Sequence, residues 1–331
     1  AAALGPFHNA TGAAMTIAIV GAGMAGLSAA ETLSAQGRSV RLFDKGRGAG
    51  GRMATRRASV NGSNLTFDHG AQYFTARSEG FRAAVSCWLS AGVAAPWDDE
   101  EASGKASERF VGAPGMNSIL KSMAAPLDVS WGAEVSTLEG GPGRWSLRFA
   151  DGSAAGNFER VIVAVPAEQA AVLLVAASPE LAANAKKIKS EPCWAAMLAY
   201  DEPTRIVSLS FEPSDGPLGW TARNSSKFGR TDAETWVLHA RPEWSAANLE
   251  AAAEKVAARL VESFREQTGA GAPVFSQAHR WRYARVADPL GTPFQLDPGT
   301  GLATCGDWHL GARVEAAWTS GHLLGLQLLR Q

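Results

Sequence analysis

The chain has 331 residues and is 46% hydrophobic, which is enough to bury a sizeable core and suggests two domains. Its formal net charge is −1, so no bulk electrostatic term favours nucleic acid or an anionic membrane as a partner. The three cysteines are scattered, without metal-binding or disulfide spacing, which indicates a reducing cytoplasmic setting and no metal site.

We expect neither a signal peptide nor a membrane-spanning segment in this sequence. Residues 1–14 lack the basic start and apolar core of a signal peptide, and we expect a tag remnant or a disordered tail there. The most apolar long stretch, residues 161–177, is interrupted by Pro166 and Glu168, whereas a membrane span needs about 20 apolar residues.

The first predicted strand runs directly into a glycine-rich turn. Residues 17–20 are apolar, and residues 21–26 have the sequence G-A-G-M-A-G, which fits G-x-G-x-x-G. Gly21 permits the tight turn, Gly23 lets backbone approach a pyrophosphate, and Gly26 lets the following helix pack on the strand. The context of strand, turn and helix predicts a dinucleotide site at the helix N-terminus, and the alternative is an ordinary glycine-rich turn.

A second predicted strand, residues 39–44, ends in Asp44, which follows Gly26 by 18 residues. A carboxylate at this place can accept hydrogen bonds from both hydroxyls of an adenosine ribose. The same charge would repel a 2′-phosphate, which argues against NADP in this site.

The next segment, residues 45–55, is rich in glycine and basic residues. Gly50 and Gly51 allow close backbone approach, and the guanidinium groups of Arg47 and Arg52 suit phosphate. A nicotinamide-binding domain would continue with another helix and strand, whereas an extended cofactor with a pyrophosphate would use such a loop. These residues therefore predict FAD, against the alternative of a solvated basic loop.

Residues 67–75 combine a glycine with polar side chains on a semi-apolar segment. Gly70 and Ala71 allow close approach, and Gln72 and Tyr73 have polar tips that can line a flavin ring and a substrate pocket. The alternative is a strand with a bulge at Gly70.

The second half of the chain has a different pattern of predicted strands and helices. Residues 161–165 predict a buried parallel strand, whereas residues 178–295 predict mixed strands rich in Trp. That section also contains a predicted amphipathic helix with its apolar face formed by Leu249, Val256, Leu260 and Phe264.

The C-terminal residues predict a short strand ending at Gly306 and Asp307, then a helix beginning near Arg313. Asp307 can accept a hydrogen bond from a ribityl hydroxyl, and the helix N-terminus can bind an anionic ring oxygen.

Taken together, these residues resemble the flavin amine-oxidase superfamily, and most closely its renalase-like branch. One departure is Phe228, where relatives tend to carry Pro. The shared motifs are G-A-G-M-A-G at 21–26, F-D-K-x-R-G-x-G-G-R-M at 43–53, D-H-G-A-Q-Y-F-T at 68–75, W-V-L-H-A at 236–240, H-R-W-R-Y-A at 279–284 and C-G-D-W…R-V-E-A-A-W-x-S-G at 305–321.

The resemblance implies an α/β fold with a Rossmann-type FAD-binding domain, glutathione-reductase-like and discontinuous, and an inserted α+β substrate domain. We expect the FAD-binding domain to comprise residues 15–76, 109–172 and 296–331. The substrate domain should comprise residues 77–108 and 173–295.

The resemblance also implies non-covalent FAD, held by a set of residues that includes the motif glycines. These predicted cofactor contacts are Gly21, Gly23, Met24, Ala25, Gly26, Asp44, Lys45, Gly51, Arg52, Gly70, Ala71, Gln72, Val135, Gly306, Asp307 and Val314.

The implied reaction is oxidation of 2- or 6-dihydro isomers of NAD(P)H to NAD(P)⁺ by hydride transfer to flavin N5, with O₂ reoxidising the flavin to give H₂O₂. Because the oxidised ring is an aromatic cation, no base is required, and we assign no catalytic side chain. We expect His69, His239, His279 and His309 to be structural hydrogen-bonding residues. The candidates for a substrate pocket are Gln72, Tyr73, Trp194, Trp220 and Trp281.

Two other functions stay open. An amine oxidase would hold a neutral amine between aromatic rings, and the chain offers Tyr73, Tyr200 and Tyr283 for such a cage. A flavin-binding protein without turnover is compatible with the same cofactor motifs.

Overall fold

The structure is a computed structural model that describes residues 16–97 and 108–331. The tail predicted over residues 1–14 lies outside the described residues. Within the two described ranges, no helix combines the length and the apolar character needed to cross a membrane.

The described residues form seventeen strands. In chain order they are β1 (Thr16–Val20), β2 (Val40–Asp44), β3 (Thr55–Val60), β4 (Ser63–Asp68), β5 (Ala94–Pro96), β6 (Phe110–Gly112), β7 (Asp128–Trp131), β8 (Val135–Gly141), β9 (Arg144–Phe149), β10 (Ala154–Val163), β11 (Ser190–Tyr200), β12 (Ser210–Phe211), β13 (Leu218–Arg223), β14 (Glu234–Ala240), β15 (Phe275–Val286), β16 (Gln295–Asp297) and β17 (Leu302–Thr304).

Short 3₁₀ helices occupy Gly51–Met53 and Asn224–Ser226. The α-helices are α1 (Met24–Ser34), α2 (Glu79–Ser90), α3 (Ser118–Ala124), α4 (Ala167–Leu174), α5 (Pro179–Lys186), α6 (Pro242–Ala247), α7 (Ala253–Thr268), α8 (Asp307–Leu310) and α9 (Val314–Leu328).

Strand β1 lies inside an eight-stranded mixed sheet. It runs parallel to β2 and β10, and the parallel set continues through β7 on one side and β17 on the other. Strands β8, β9 and β16 join this sheet by antiparallel pairing. Residues 17–20 are all buried, as expected for a parallel strand covered on both faces. Three separate stretches of the chain thus contribute to one sheet.

The second large sheet is antiparallel and has the strand order β12-β13-β14-β11-β15. Helix α7 covers one face, where Leu260 and Phe264 pack in a buried cluster with Trp236. The hairpin of β3 and β4 packs on the other face, where Phe67 stacks on Phe275 with ring centroids 5.7 Å apart. This sheet supplies the far wall of the cleft described below.

The predicted amphipathic helix is present, but its start differs from the expectation. Helix α7 begins at Ala253, so Leu249 lies outside it. The amide of Asn248 donates to the carbonyl of Trp244, and the carbonyl of Leu249 accepts a hydrogen bond from Arg280. These contacts hold residues 248–252 in a turn between α6 and α7.

The helix after the glycine turn is held against the C-terminal helix by very close packing. A Cβ added at Gly321 on α9 would lie 2.0 Å from the carbonyl oxygen of Ala25 on α1. Nearby, the hydroxyl of Ser28 donates to the carbonyl of Trp318 at 2.9 Å. The last helix therefore positions the N-terminal turn of α1.

We predict that Gly321→Ala destabilises the protein by about 1–3 kcal/mol, because the added methyl group overpacks the contact between α1 and α9. Urea unfolding at saturating cofactor measures the change. Gly271→Ala is the matched control, because its Cβ would have no heavy atom within 4 Å, and it should stay within about 0.5 kcal/mol of the parent. Equal stability of both variants would contradict the packing argument.

Candidate cofactor and substrate cleft

A large cleft of about 2250 Å³ runs from the eight-stranded sheet to the antiparallel sheet. It begins at the carboxyl ends of β1, β2 and β10, where open α/β sheets bind their ligands, and reaches β13, β14 and β15. Pockets for drug-sized ligands measure roughly 300–1,000 Å³, so the cleft has room for a dinucleotide and a second molecule.

Most of the predicted cofactor contacts line this cleft. Among the substrate-pocket candidates, Gln72, Tyr73, Trp220 and Trp281 also line it. Gly26 and Trp194 are not part of its wall. The predicted cofactor contacts that the structure brings together here are Gly21, Gly23, Met24, Ala25, Asp44, Lys45, Gly51, Arg52, Gly70, Ala71, Gln72, Val135, Gly306, Asp307 and Val314.

The three motif glycines have different surroundings. Gly21 has a φ of +103°, and a Cβ there would lie 2.6 Å from the carbonyl oxygen of Ala164. A Cβ at Gly26 would lie 1.9 Å from the carbonyl oxygen of Gly21, so this glycine serves the packing of α1. A Cβ at Gly23 would meet no heavy atom within 4 Å. Gly23 therefore borders open cleft, where a ligand backbone can approach.

The carboxylate of Asp44 makes two backbone contacts that the sequence did not predict. One oxygen accepts a hydrogen bond from the N–H of Ala22 at 2.7 Å, and the other accepts from the N–H of Gly46 at 2.6 Å. Asp44 thus ties the glycine turn to the basic loop. Its proposed contact with a ribose stays a prediction and would use the remaining lone pairs.

Arg52 and Asp307, which both line the cleft, form a bidentate ion pair. The guanidinium donates to the two carboxylate oxygens at 2.7 and 2.6 Å. The carbonyl of Arg52 accepts from the N–H of Ala71 at 2.9 Å, and a Cβ at Gly70 would lie 2.0 Å from that same oxygen. The sequence predicted these residues as separate cofactor contacts, whereas the structure shows that they also hold one another in place.

A buried charge cluster lies behind the cleft wall and centres on Asp68, which is fully buried. Its carboxylate accepts from the guanidinium of Arg230, from the hydroxyl of Thr55 at 2.7 Å and from the N–H of Met116 at 2.9 Å. The ammonium of Lys227 lies 3.5 Å away. Burial alone would raise the pKa of Asp68, but Lys227 and Arg230 outweigh it and hold the pKa below its ordinary value.

This cluster fixes the orientation of Gln72. The side-chain oxygen of Gln72 accepts from the ammonium of Lys227 at 2.9 Å, and its nitrogen donates to the carbonyls of Asp68 and Gly70. Lys227 is 2% exposed, and burial lowers its pKa to about 8 despite the opposing charge of Asp68. Phe228, the departure from the family pattern, points outward and is 68% exposed, so the loop makes its inward contacts through its other residues.

Strand alternation decides which rings of the antiparallel sheet face the cleft. On β11, Cys193 pairs with Trp281 of β15, and residues directly opposite each other share a face. Trp194, the next residue, points to the opposite face, where its indole N–H donates to the carbonyl of Asn248 at 3.0 Å. The prediction of Trp194 as a pocket residue is therefore wrong, and Cys193 lines the cleft in its place.

Three histidines add to the ring surface beside Trp281. The ring centroids of His69 and His279 are 4.7 Å apart, and those of His279 and Trp281 are 4.6 Å apart. The indole N–H of Trp281 donates to the carbonyl of His69 at 2.8 Å. Burial lowers the pKa values of His69 and His239 to about 4, so both imidazoles are neutral at pH 7. We call His69, His239, His279 and Trp281 the ring wall.

His309 lies outside the ring wall, as expected for a structural residue. Its ring nitrogens contact the hydroxyl of Thr304 at 3.1 Å and the carbonyl of Thr292 at 3.0 Å. Burial lowers its pKa to about 4. Among the described residues, no group of three or more His, Cys, Asp or Glu side chains is arranged to hold a metal ion.

Three further aromatic rings surround the guanidinium group of Arg109. The guanidinium carbon of Arg109 lies 4.6 Å from the ring centroid of Tyr73, 5.5 Å from that of Trp220 and 5.8 Å from that of Trp97. No sequence motif marks Arg109 as a site residue. These ring faces already have a cation–π partner.

The cleft is strongly cationic although the whole chain is nearly neutral. Among its described lining residues, eleven are Lys or Arg and four are Asp or Glu. The basic residues are Lys45, Arg47, Arg52, Arg56, Arg57, Arg77, Lys121, Arg280, Arg282, Arg285 and Arg313, and the acidic residues are Asp44, Glu134, Glu168 and Asp307. Acidic side chains neutralise four of these arginines, namely Arg52 by Asp307, Arg280 and Arg282 by Glu250, and Arg285 by Glu191. The other seven basic residues still outnumber the acidic ones, and such a cleft raises the local concentration of anionic ligands.

Comparison with known protein families agrees with this geometry. A family model described as an NAD(P)-binding Rossmann-like domain matches residues 19–86. A second one, described as flavin containing amine oxidoreductase, matches residues 79–323, which is more than half of the chain. The chain belongs to the flavin-containing amine oxidoreductase family. Membership implies a flavin cofactor and oxidoreductase chemistry.

Solved structures with the same fold superpose on almost the whole chain. A protein from Exiguobacterium sp. 255-15, provisionally named protoporphyrinogen oxidase, has a TM-score of 0.77 at 12% identity, over 96% of this chain and 100% of that chain. Putrescine oxidase bound to putrescine has a TM-score of 0.72 at 16% identity, over 96% and 99% of the two chains. Cyclohexylamine oxidase from Brevibacterium oxydans IH-35A has a TM-score of 0.74 at 11% identity, over 96% and 100%. These likenesses confirm the predicted fold class and leave the substrate open.

We predict that Asp68→Asn destabilises the protein by about 3–5 kcal/mol at neutral pH, because Lys227 and Arg230 then lose their buried counter-charge. Urea unfolding measures the change. Asp232→Asn, at an exposed position, is the matched control and should stay within about 0.5 kcal/mol of the parent.

The pH dependence of this difference has a definite sign. The pKa of Asp68 is lower in the folded protein than its ordinary value of 3.8, so the carboxylate stabilises the fold fully at neutral pH. That contribution is lost as the pH falls below about 4 and through the folded pKa. An advantage of the parent over Asp68→Asn that grows on acidification would contradict this account.

Proposed function

We propose that this family member is an FAD-dependent oxidase of the renalase-like branch. Its substrates would be the 2- or 6-dihydro isomers of NAD(P)H, which it would oxidise to NAD(P)⁺, and O₂ would be reduced to H₂O₂. The observation that carries this proposal is the cationic cleft with its wall of neutral rings, since it suits a flat ring attached to phosphates.

FAD fits the residues at the sheet end of the cleft. The open space beside Gly23 lies at the N-terminus of α1, where unpaired N–H groups and the helix dipole favour a pyrophosphate. The cleft-lining residues Lys45 and Arg47 add positive charge on the same side. Asp44 and Asp307 would accept from ribose and ribityl hydroxyls.

The cysteines support non-covalent attachment of the cofactor. All three are free, and Cys193 is the one that lines the cleft. Burial raises the pKa of the Cys193 thiol to about 12, so it is not a nucleophile at neutral pH. Free thiols also support a reducing, cytoplasmic setting.

The motifs specific to the renalase-like branch meet in one place. Gln72 comes from the segment 68–75, and its side-chain nitrogen lies 3.4 Å from a ring nitrogen of His239 in the segment 236–240. That same nitrogen of His239 lies 3.3 Å from the carbonyl of His69, which also accepts the indole N–H of Trp281 from the segment 279–284. Their convergence at the ring wall supports assignment to this branch.

Bound FAD would supply the hydride acceptor, and O₂ would take the two electrons onward with two protons as H₂O₂. The protein's part is to bind and orient the substrate. Trp281 and His279 offer ring faces for a dihydropyridine. Because loss of a hydride leaves an aromatic pyridinium, no side chain needs to take a proton from the ring. Neutral His69 and His239 add no positive charge where that cation forms.

A small amine is the second candidate substrate, because the family match and the likeness to putrescine oxidase and cyclohexylamine oxidase favour it. Two features of the cleft weigh against it. An amine is an ammonium ion at neutral pH, and the basic lining residues that lack an acidic partner would repel it. The cage rings Tyr73 and Trp220 already contact the guanidinium of Arg109.

We predict that anaerobic mixing of the FAD-loaded protein with 2- or 6-dihydro-NAD(P) bleaches the flavin absorbance rapidly, and that a monoamine and putrescine do not. In air, H₂O₂ should form in a 1:1 ratio to NAD(P)⁺. Raised salt should lower kcat/KM, since it screens the cationic cleft.

Two results would overturn the proposal. Bleaching by amines alone would establish an amine oxidase. No bleaching by any of these reductants would favour a flavin-binding protein without turnover.

A further inference from the structure

Arg56 on β3 is a half-buried cation without an anionic partner. It lines the cleft and forms no hydrogen bond or ion pair through its side chain with any residue in 16–97 or 108–331. Some other cleft arginines are neutralised, such as Arg52 by Asp307 at 2.6 Å and Arg282 by Glu250 at 2.6 Å. The cleft arginines that lack an ion pair with a described residue, apart from Arg56, are exposed to water: Arg47, Arg57, Arg77 and Arg313. Taking an arginine partly out of water without a partner is costly, so its position calls for an anion from outside the chain.

The charge of Arg56 acts on the ring wall. Burial is the main cause of the lowered pKa values of His69 and His279, and the positive charge of Arg56 lowers both further. Strand pairing agrees with this direction. Arg56 pairs with Phe67, whose ring stacks on Phe275 of β15, the strand that also carries His279. Arg56 therefore lies on the side of the β3–β4 hairpin that faces the antiparallel sheet.

We propose that Arg56 binds a phosphate group of the substrate beside the ring wall, while the dihydropyridine ring lies against that wall. This inference rests on the proposed function and makes it more specific. The substrate would be a phosphorylated nicotinamide compound, with the dinucleotide bound far more tightly than the corresponding nucleoside. The cofactor's own pyrophosphate has a different place, at Gly23 and the N-terminus of α1.

The forked guanidinium of Arg56 suits a phosphate because it can donate two parallel hydrogen bonds. Lysine at this position would keep the charge but lose the fork. The contact would hold the ring end of the substrate by its linked phosphate, so the loss of Arg56 should affect binding of phosphate-bearing ligands and leave ligands without phosphate unchanged.

The test uses the FAD-loaded protein and isothermal titration with NAD⁺, nicotinamide riboside and inorganic pyrophosphate. NAD⁺ and the riboside share the same ring, and only NAD⁺ has phosphates. Arg56→Gln should weaken binding of NAD⁺ and pyrophosphate roughly 10- to 100-fold, as expected for lost charge-assisted hydrogen bonds, and leave the riboside unchanged. Arg56→Lys should recover part of the loss.

Arg259→Gln is the matched control, because Arg259 on α7 lies outside the cleft and is paired with Glu262. It should change the Kd of NAD⁺ by less than about 3-fold, the size expected for an exposed ion pair. The Kd of FAD, measured by flavin fluorescence, should be the same in the parent and in Arg56→Gln.

The results of this titration distinguish the phosphate contact of Arg56 from the proposed function. Equal weakening of NAD⁺ and riboside, no weakening of NAD⁺, or loss of FAD from Arg56→Gln would overturn the phosphate contact. A parent that binds neither NAD⁺ nor pyrophosphate would also overturn it. If dihydronicotinamides fail to bleach the flavin but pyrophosphate binding depends on Arg56, the anion site stands and the nicotinamide assignment falls.

Discussion

The buried carboxylate of Asp68 is the interaction on which the candidate site depends. It joins the end of β4 to Thr55 at the start of β3, to the backbone before α3 and to Arg230 in the loop after β13. One negative charge thus holds the cofactor side of the cleft to the antiparallel sheet. Through Lys227 the same cluster fixes the amide of Gln72, a cleft residue. The position of Gln72 beside the ring wall therefore depends on a buried charge cluster behind the cleft wall.

The cleft has two ends with different physical character. At the sheet end, Gly23 leaves open space at a helix N-terminus, and Asp44 and the Arg52–Asp307 pair hold the surrounding loops. At the other end, neutral imidazoles and Trp281 form a flat ring wall with Arg56 beside it. Because the protein has a net charge of only −1, the concentration of basic residues in the cleft reflects segregation of charge and not overall composition.

Local sequence patterns predicted the elements next to the cofactor end, because a strand, a glycine turn and a helix within 20 residues determine one another's geometry. Contacts between distant segments had no such signal. Arg52 and Asp307 are 255 positions apart, and Asp68 and Arg230 are 162 apart. The error at Trp194 has a local cause, since a strand buried on both faces gives no alternation that would reveal which side meets the cleft. The roles of the site residues and the domain boundaries stay predictions.

The most direct test of the central claim, that this cleft binds FAD across Gly23, is the Kd of FAD for Gly23→Ala together with the stability of the cofactor-free protein. Gly23 has a φ of −80° and its Cβ would meet no heavy atom within 4 Å, so the fold itself leaves room for the added methyl group. The account predicts a cofactor-free stability within about 1 kcal/mol of the parent, the cost of losing glycine at a helix N-cap, and FAD binding weaker by roughly 1–3 kcal/mol, because the methyl group occupies the ligand's space. Binding of FAD with the parent's Kd would contradict it.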